Sequence, residues 1–401
     1  MLTGQHIILG VTGGIAAYKA VELCRLFIKA GAKVRVIMTE AAKEFVTPLT
    51  FQTISNHPVY DQLFIGSERF SVEHVGLAQE ADLFVIAPAT ANTLGKIANG
   101  IADNLLTTTV MAAKCPVLLA PAMNTNMYEN PLQQENLQKL AAFGYHLIGP
   151  EQGELACGDQ GRGRMSEPQA IFTAACKILM ADPFWQGRQV LVTAGPTREA
   201  IDPIRFLSNH SSGKMGYAVA ETAALLGAEV TLISGPVQLE PPPGVKMVEV
   251  VSAQEMYEAV LDNFPTADVV IKAAAVADYR PLQQSKEKIK KGSELNLNLI
   301  PNPDILAELG KQKQRQILVG FAAETNNLRE NALKKLKQKN LDLIVANNVL
   351  QEGAGFAVDT NIIQIFYRTG ENKEFPKMTK QQAAKEILCA VKELIKKNPV
   401  Y

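Results

Sequence analysis

The chain has 401 residues, of which 47% are hydrophobic and 20% charged, a composition that excludes a disordered chain and a fibrous or coiled-coil protein. Its 40 Lys and Arg residues balance 40 Asp and Glu residues, whereas proteins that bind nucleic acid through its phosphates usually carry a basic excess. No stretch approaches the about 20 apolar residues of a membrane span, and the first basic residue, Lys19, stands far behind the apolar start, which argues against a signal peptide.

The five cysteines indicate a reducing compartment. Their number is odd, their spacings are long and no C-x-x-C pair occurs, a pattern that favours neither a disulfide framework nor a zinc site. We therefore expect a cytoplasmic protein with no nucleic-acid partner and no membrane.

The N-terminal segment predicts an α/β fold. Residues 5–9 are apolar, as a buried strand should be, and a glycine turn at 10–14 (GVTGG) breaks them. Apolar residues then recur with helical spacing from 15 to 30. Gly31 follows at the helix end, and residues 34–38 predict a second strand. This unit opens a doubly wound, Rossmann-like α/β sheet.

The same unit returns in the second half of the chain. A strand, a turn, a helix and another strand are predicted at 189–193, 195–197, 214–226 and 230–234. The segments that leave the two helices match in sequence, since residues 30–34 read AGAKV and residues 226–230 read LGAEV, and Gly227 is predicted to cap its helix as Gly31 does. Residues 341–347 predict a further strand of the second half.

Two α/β domains are therefore predicted, residues 1–187 and 188–401. The boundary falls in the turn-rich segment 180–187, which holds the one tryptophan; a loop inside one large sheet is the alternative. The last helix is predicted to begin with a capping box of Thr379 and Gln382.

The glycine turn suits an anion, because it places backbone N–H groups at a helix N-terminus; a tight turn without a ligand is the alternative. Its spacing is not G-x-G-x-x-G, and the second strand leads to Thr39 without the acidic residue that holds an adenosine ribose. A mononucleotide is thus favoured over a dinucleotide. Residues 87–93 (APATANT) follow another strand with hydroxyls and an amide, which suits a neutral polar ring system or else a helix cap.

Three other residues of the first half are candidates for chemistry. Asn124 follows an apolar strand and either binds a carboxylate through its amide or is a turn residue. His74 precedes a helical segment, where a lone histidine is more often a surface residue. Cys157 is followed by three glycines in six residues, which favours a reactive thiol on a mobile loop, beside Arg162 and Arg164, over a small apolar filler.

Four motifs of the first half occur in order: 10–19 (GVTGGIAAYK), 87–93 (APATANT), 121–127 (PAMNTNM) and 156–165 (ACGDQGRGRM). Together they resemble the flavin-dependent cysteine decarboxylases. The resemblance implies a flavodoxin-like fold with bound FMN, oxidation of a cysteinyl thiol to a thioaldehyde, loss of CO₂ and reduction of the ene-thiol. It implies His74 as the active-site histidine, Asn124 as a contact of the substrate carboxylate and Cys157 as the acid that protonates the ene-thiol. It also implies a site between subunits of a homo-oligomer, with these flavin contacts: Gly14, Thr39, Thr90 and Asn92.

The second half has its own candidates. Residues 208–216 (SNHSSGKMG) invite a Walker A interpretation, but Met215 stands where Ser or Thr is needed. A different phosphate cradle and a capping loop both remain open, and within it Asn209 offers an amide for an acyl oxygen. Asp278 follows a strand and suits Mg²⁺, a base edge or a helix cap. The basic run 286–291 (KEKIKK) is by itself typical of a solvated face.

Seven segments of the second half resemble the ligase half of the bacterial bifunctional phosphopantothenoylcysteine decarboxylase/phosphopantothenate–cysteine ligases of coenzyme A synthesis. These segments are 193–199, 208–216, 278–280, 287–291, 302–305, 320–325 and 339–342. The resemblance implies that 4'-phosphopantothenate attacks CTP to give an acyl-cytidylate, from which the amine of cysteine displaces CMP. It implies Lys288 in the activation step, where cations and Mg²⁺ spread charge, Asn209 at the acyl-cytidylate and Asp278 at the metal. The implied nucleotide contacts are Asp278, Lys288, Asn302, Pro303, Asp304, Ile305, Phe321, Lys335 and Lys339.

Two other functions are alternatives to this bifunctional enzyme. A flavin-binding redox-sensing or regulatory protein with a degenerate ligase half would share Cys157, but Lys288, Asn209 and Asp278 together favour the enzyme. An NAD dehydrogenase lacks the acidic ribose residue and the dinucleotide spacing. The preference for CTP over ATP follows from the resemblance alone.

Overall fold

Two separate sheets, each with helices on both faces, organise the chain. The computed structural model describes residues 2–63, 73–154, 158, 160–291, 295–348, 350–355 and 358–397. It divides into two units, Met1–Met180 and Ala181–Tyr401. Both are α/β, as the sequence predicts.

Strands and helices alternate through most of the first unit. The strands are β1 (His6–Val11), β2 (Lys33–Met38), β3 (Val59–Tyr60), β4 (Leu83–Ala89), β5 (Val117–Pro121), β6 (His146–Leu147), β7 (Glu151–Glu154) and β8 (Gln160–Arg164). The helices are α1 (Ala17–Lys29), α2 (Glu40–Lys43), α3 (Pro48–Ser55), α4 (Glu73–Glu80), α5 (Ala91–Ala98), α6 (Leu105–Ala112), α7 (Thr125–Glu129), α8 (Pro131–Ala142) and α9 (Pro168–Met180).

The first sheet has the order β3-β2-β1-β4-β5-β6, and its strand pairs are parallel. This is the Rossmann-like order 3-2-1-4-5-6, and without the two-residue edge strand β3 the other five strands have the flavodoxin-like order 2-1-3-4-5. The winding reverses between β1 and β4, and ligands of such sheets bind at the carboxyl ends of the strands at this point. Strands β7 and β8 form a separate antiparallel hairpin.

The second unit begins with a strand that, like β1 in the first unit, lies inside a parallel sheet. Its strands are β9 (Gln189–Ala194), β10 (Arg198–Ala200), β11 (Phe206–Ser208), β12 (Glu229–Ser234), β13 (Lys246–Glu249), β14 (Val269–Lys272), β15 (Tyr279–Pro281), β16 (Leu299–Pro301), β17 (Ile317–Glu324), β18 (Leu343–Asn348), β19 (Thr360–Asn361), β20 (Gln364–Tyr367), β21 (Asn372–Glu374) and β22 (Met378–Thr379). Its helices are α10 (Lys214–Leu226), α11 (Ala253–Asn263), a 3₁₀ turn (Phe264–Thr266), α12 (Ile305–Gln312), α13 (Leu328–Gln338) and α14 (Lys380–Lys397).

The second sheet has the order β13-β12-β9-β14-β17-β18-β20-β21. Its first six strands are parallel, and the last two are added antiparallel. Side chains of β14 alternate between two cores, with Val269 and Ile271 in one and Val270 in the other. A strand buried on both faces reads as an uninterrupted apolar run, which is the signal by which the sequence predicts it.

Both predicted glycine caps and the predicted capping box are present. Gly31 and Gly227 end α1 and α10 with φ of 91° and 105°, a region that side chains with a Cβ rarely adopt. The N–H of Thr379 donates to Gln382 Oε1 at 2.9 Å, and the N–H of Gln382 donates to Thr379 Oγ1 at 3.2 Å. The start of α14 is therefore fixed by local chemistry.

Residues 181–187, which the sequence analysis assigned to the first domain, pack within the second unit. Trp185 is 1% exposed and belongs to the core around β9 and α14, with Phe184 beside it. Asp182 pairs with Lys392 of α14. The predicted boundary at residue 187 stays a prediction, but the contacts of these three side chains join them to the second unit.

No helix of the described residues is long and apolar enough to cross a bilayer. The cysteines among the described residues, Cys24, Cys115, Cys176 and Cys389, form no disulfide bond with one another. No group of three or more His, Cys, Asp and Glu side chains in the described ranges is arranged to hold a metal ion. The cytoplasmic setting stays a prediction.

Candidate functional sites

A cavity of about 1080 Å³ opens at the carboxyl ends of the first sheet, a volume near the upper end for small-molecule sites. Its walls come from the loops after β1, β2, β4 and β5 and from strand β8. It brings together five of the residues predicted for the flavin and the decarboxylation: Gly14, Thr39, Thr90, Asn92 and Asn124.

Hydroxyl groups join two of the loops around this cavity. Thr12 Oγ1 donates to the carbonyl oxygen of Pro88 at 2.6 Å and accepts from the N–H of Thr90 at 3.1 Å. The hydroxyl of Thr90 lies 3.2 Å from that of Thr93. The loop after β1 thus fixes the start of α5, where Thr90 is the N-cap residue without a side-chain cap bond of its own.

The turn after β1 has no room for a side chain at Gly13. A Cβ atom at Gly13 would lie 2.4 Å from the Cβ of Ala41, closer than real atoms approach. Beside this turn, the buried hydroxyl oxygen of Thr39 has no hydrogen-bond partner among the described residues. A buried polar atom without a partner destabilises the protein, so this wall is suited to a ligand that supplies one.

Asn124 lies where the sequence placed it, directly after β5. Its Oδ1 accepts from the N–H of Asn126 at 2.8 Å, so the residue caps α7 as well as lining the cavity. The N–H of the preceding residue, Met123, donates to the carbonyl oxygen of Gly163 in β8 at 3.0 Å. The asparagine and the strand after Cys157 therefore form one connected wall.

Sequence reasoning missed an ion-pair cluster under this wall. Glu167 Oε1 accepts from Lys19 Nζ at 2.8 Å and from Arg164 Nη2 at 2.6 Å. The hydrogen bond from Lys19, with help from Arg164, outweighs desolvation and lowers the pKa of the Glu167 carboxyl. Lys19 is 8% exposed, and a buried lysine needs a partner, but the sequence carries no local signal for this contact because Glu167 is 148 positions away.

One predicted residue of the first unit, His74, is not brought into the cavity. His74 is the second residue of α4 and is not among the lining residues. Cys157 lies outside the described residues. Their predicted roles stay predictions.

A second set of predicted residues gathers at the carboxyl edge of the second sheet, beside β14 and β17. The N–H of Asn302 donates to the carbonyl oxygen of Asp278 at 2.8 Å. The side chain of Asn302 donates to Ala277 O at 2.9 Å and accepts from Arg280 at 2.8 Å. Asp278 is exposed and directly precedes β15, so it does not cap a helix.

The start of α12 continues this set. Asp304 is its N-cap, and Asp304 Oδ1 accepts from the N–H of Ala307 at 3.1 Å. Asp304 Oδ2 pairs with Lys339 Nζ at 2.8 Å. Burial opposes ionisation of Asp304, but these two partners outweigh it and its pKa is lowered. Ile305 is 1% exposed and anchors the helix in the core.

One further lysine and an aromatic ring lie on the neighbouring elements. Lys335 Nζ pairs with Glu324 Oε1 at 2.7 Å, which joins α13 to the end of β17. Phe321 lies on β17, partly buried against the core. Pro303, between Asn302 and Asp304, is half-buried.

Sequence analysis missed Lys272, the last residue of β14, which pairs in register with Gly320 and Thr193. Burial lowers the pKa of Lys272 to about 8, and the charge of Lys339 acts in the same direction. The carboxylates of Asp304 and Asp278 oppose this shift. A lysine that ends an otherwise apolar strand was the signal, and the charges around Lys272 place it beside the predicted nucleotide contacts.

Asn209 and Lys288 lie on loops. Asn209 Nδ2 donates to Ala275 O at 2.9 Å, next to the segment that leads to Asp278. Gly213, with φ of 76°, precedes α10 without a side-chain cap bond. Lys288 is exposed, and the structure gives its side chain no hydrogen bond or ion pair within the described ranges.

Comparison with known proteins covers both units. A family model described as Flavoprotein matches residues 1–180, and one described as DNA/pantothenate metabolism flavoprotein C-terminal domain matches residues 185–395. The coenzyme A biosynthesis bifunctional protein CoaBC of Bacillus subtilis is 50% identical over 402 residues, 99% of each chain. The CoaBC of Haemophilus influenzae is 50% identical over 374 residues, 93% of each. A solved C-terminal domain of a CoaBC is 46% identical, covers 54% of this chain and 100% of its own, and has a TM-score of 0.48.

Proposed function

The chain belongs to the family of coenzyme A biosynthesis bifunctional proteins, and on that premise we propose how its two units divide two consecutive reactions. The second unit joins cysteine to 4'-phosphopantothenate with CTP. The first unit then removes CO₂ from 4'-phosphopantothenoylcysteine to give 4'-phosphopantetheine. The observation that carries this proposal is 50% identity over 99% of the chain.

FMN is the cofactor proposed for the first unit. The unpartnered hydroxyl of Thr39 and the side-chain-free turn at Gly13 fit a polar, phosphate-bearing group. The residues that would hold it are Gly14, Thr39, Thr90 and Asn92. When bound, FMN would supply a two-electron acceptor for the substrate thiol and the matching reductant after CO₂ has left.

The chain's own residues bind the substrate and handle its protons. Asn124 holds the substrate carboxylate, and its amide is oriented by the hydrogen bond from Asn126. His74 acts in the oxidation of the thiol. Cys157 protonates the ene-thiol. A thiol is a far stronger acid than a hydroxyl group, so its side chain is suited to donate this proton.

A homo-oligomer completes this site in our proposal. His74 lies outside the cavity of its own chain, and the cavity rim carries exposed apolar side chains. Ile15 and Tyr18 are each 60% exposed there. Aromatic and aliphatic side chains of this kind are typical of the buried core of an interface. In this proposal a second subunit covers the apolar rim and supplies its His74 to the site.

The second unit activates a carboxylate. The 4'-phosphopantothenate carboxylate attacks the α-phosphorus of CTP, and the bond to pyrophosphate breaks. The cysteine amine then attacks the acyl carbon, CMP leaves and the amine loses a proton. Lys288 stabilises the charge of the first step, and Asn209 holds the acyl-cytidylate. The nucleotide rests on Asp278, Lys335 and Lys339 together with the 302–305 segment and Phe321.

Mg²⁺ is proposed for this step, with few of its ligands supplied by the protein. The described residues contain no ready-made cluster of three ligands. Mg²⁺ commonly keeps several waters and is held by one or two carboxylates and the substrate phosphates. The exposed carboxylate of Asp278 suits that arrangement.

Pyrophosphate release tests the proposal. We expect release when phosphopantothenate and CTP are mixed with the protein and Mg²⁺, without cysteine. Lys288→Gln should lower the rate about 10²–10³-fold, because it removes one stabiliser of the developing charge. The matched controls are Lys286→Gln, Lys290→Gln and Lys291→Gln. Equal, small losses at all four positions would show a solvated basic face instead.

A further inference from the structure

One buried carboxylate anchors the loop that carries Lys288. The side chain of Asp202 is 0% exposed. Its Oδ1 accepts from the N–H groups of Ile204 and Arg205, both at 2.8 Å. These bonds close a tight turn of the Asx type. The turn therefore uses only one of the two carboxylate oxygens.

The second oxygen is directed at the lysine loop. Asp202 Oδ2 accepts from the N–H of Ile289 at 3.2 Å and pairs with Arg205 Nη2 at 3.0 Å. Arg205 in turn donates to the carbonyl oxygen of Ile289. Both backbone polar groups of the residue after Lys288 are thus held by Asp202 and Arg205.

The loop is held ahead of Lys288 as well. The N–H of Ser285 donates to Ile201 O at 3.0 Å, one residue before Asp202. Lys286, Lys288 and Lys290 between and beside these anchors are exposed. Like charges on an exposed loop repel one another, so the backbone bonds are what keep the segment in one place.

Asp202 keeps its charge at neutral pH. Desolvation opposes ionisation, but hydrogen bonds from the backbones of Ile204, Arg205 and Ile289 and the charge of Arg205 outweigh it, so the pKa is lowered. An ionised carboxylate only accepts hydrogen bonds, which is what three N–H donors and a guanidinium require.

We propose that Asp202 is a positioning residue for Lys288, which it holds over the activation site through the backbone of Ile289. The inference rests on the proposed ligase function. A displacement of about 1 Å at a reacting group costs on the order of 10²-fold in rate. Lys288 has no side-chain contact among the described residues that would fix its position, so its backbone has to be held.

Asp202→Asn is the direct test. If the amide oxygen stays with Ile204 and Arg205, the NH₂ group faces the N–H of Ile289 and two donors oppose each other. We expect kcat for pyrophosphate release to fall about 10–100-fold, while KM for CTP changes little.

Asp182→Asn is the matched control, because Asp182 likewise accepts hydrogen bonds from a backbone N–H, that of Phe184, and from a side chain, that of Lys392. It should lower Tm without changing this rate.

A double-mutant cycle separates positioning from general stability. If Asp202 acts through Lys288, Asp202→Asn/Lys288→Gln should be no slower than Lys288→Gln alone. Losses that multiply would overturn the proposal, as would an unchanged rate in Asp202→Asn. Should Asp202→Asn fail to fold, Arg205→Ala replaces it in the cycle, since this side chain is 41% exposed and grips Ile289 from the other side. Wild-type protein without pyrophosphate release would contradict the ligase itself, a separate result.

Discussion

The N–H of Met123 donates to the carbonyl oxygen of Gly163 at 3.0 Å, so the residue before Asn124 is bonded to the strand that follows Cys157. The approach is so close that a Cβ atom at Gly163 would lie 2.1 Å from Met123 O. A backbone hydrogen bond therefore links the segment of Asn124, the proposed contact of the substrate carboxylate, to strand β8.

Gly163→Ala should separate them. The added methyl group meets backbone rather than a flexible side chain, and φ of 147° at this position is strained for alanine. We expect decarboxylation to fall at least tenfold while pyrophosphate release stays unchanged. Gly153→Ala on the partner strand is the control, because its Cβ would meet only Arg164 at 3.5 Å. Equal effects of both changes would contradict this account.

Thr39→Val should weaken flavin binding without harming the apoprotein. Valine keeps the shape of threonine but removes a buried hydroxyl that has no partner among the described residues. Loss of one hydrogen bond to the ligand costs about 0.5–1.5 kcal/mol, or roughly 3–10-fold in Kd. Calorimetric titration of the apoprotein with FMN measures Kd. The Tm of the Thr39→Val apoprotein should equal or exceed that of the wild-type apoprotein. Unchanged affinity would remove Thr39 from the flavin site.

Mixed oligomers test whether the decarboxylase site is shared. His74→Asn and Cys157→Ser should each block the reaction, the second after CO₂ has been released, since a general acid contributes about 10²–10⁴-fold. If the two side chains come from different subunits, randomly mixed chains form about one intact site in four. Co-expression followed by an assay of 4'-phosphopantetheine gives the answer. No recovered activity in verified mixed oligomers would place both residues in one subunit.

Lys272→Met should flatten the pH dependence of CTP binding. The free protein's Lys272 has its pKa lowered to about 8, and a bound triphosphate favours the charged form and raises that pKa again. Binding then takes up a proton above pH 8, so CTP affinity falls as pH rises, by at most about tenfold per unit. Calorimetry at pH 7.5 and 9 measures the slope. Lys311→Met, on the exposed surface of α12, should keep the wild-type pH slope of CTP affinity. If Lys272→Met also keeps that slope, Lys272 does not lie beside the bound nucleotide.

A fragment of residues 181–401 should be more stable than one of residues 188–401. The shorter fragment lacks Trp185, which is 1% exposed, and the Asp182–Lys392 pair. Truncation of a buried aromatic side chain costs about 3–5 kcal/mol, which lowers Tm by roughly 10 °C in a unit of this size. Equal melting temperatures would show that the segment contributes nothing to the second unit.

Local chemistry explains what the sequence could predict. The glycine turn after β1, the glycine caps and the Thr379–Gln382 capping box each depend on residues a few positions apart, and apolar runs mark strands buried on both faces. The two-residue strands β3 and β6 are too short to show a period. These contacts left no such signal: Thr12 with Thr90, Lys19 with Glu167 and Asp202 with Ile289. Their partners are 78, 148 and 87 positions apart, and only the folded sheets bring them together.

The chain has one tryptophan, and Trp185 lies in the core of the second unit with its ring edge-on to Phe184, the centroids 5.2 Å apart. Its emission therefore reports only on that unit, and it should shift to the red when the unit unfolds and water reaches the indole. A flavin bound in the first unit would report on the other half at visible wavelengths. One heated sample, read in two spectral channels, can thus reveal whether the two halves of the enzyme melt together or in sequence.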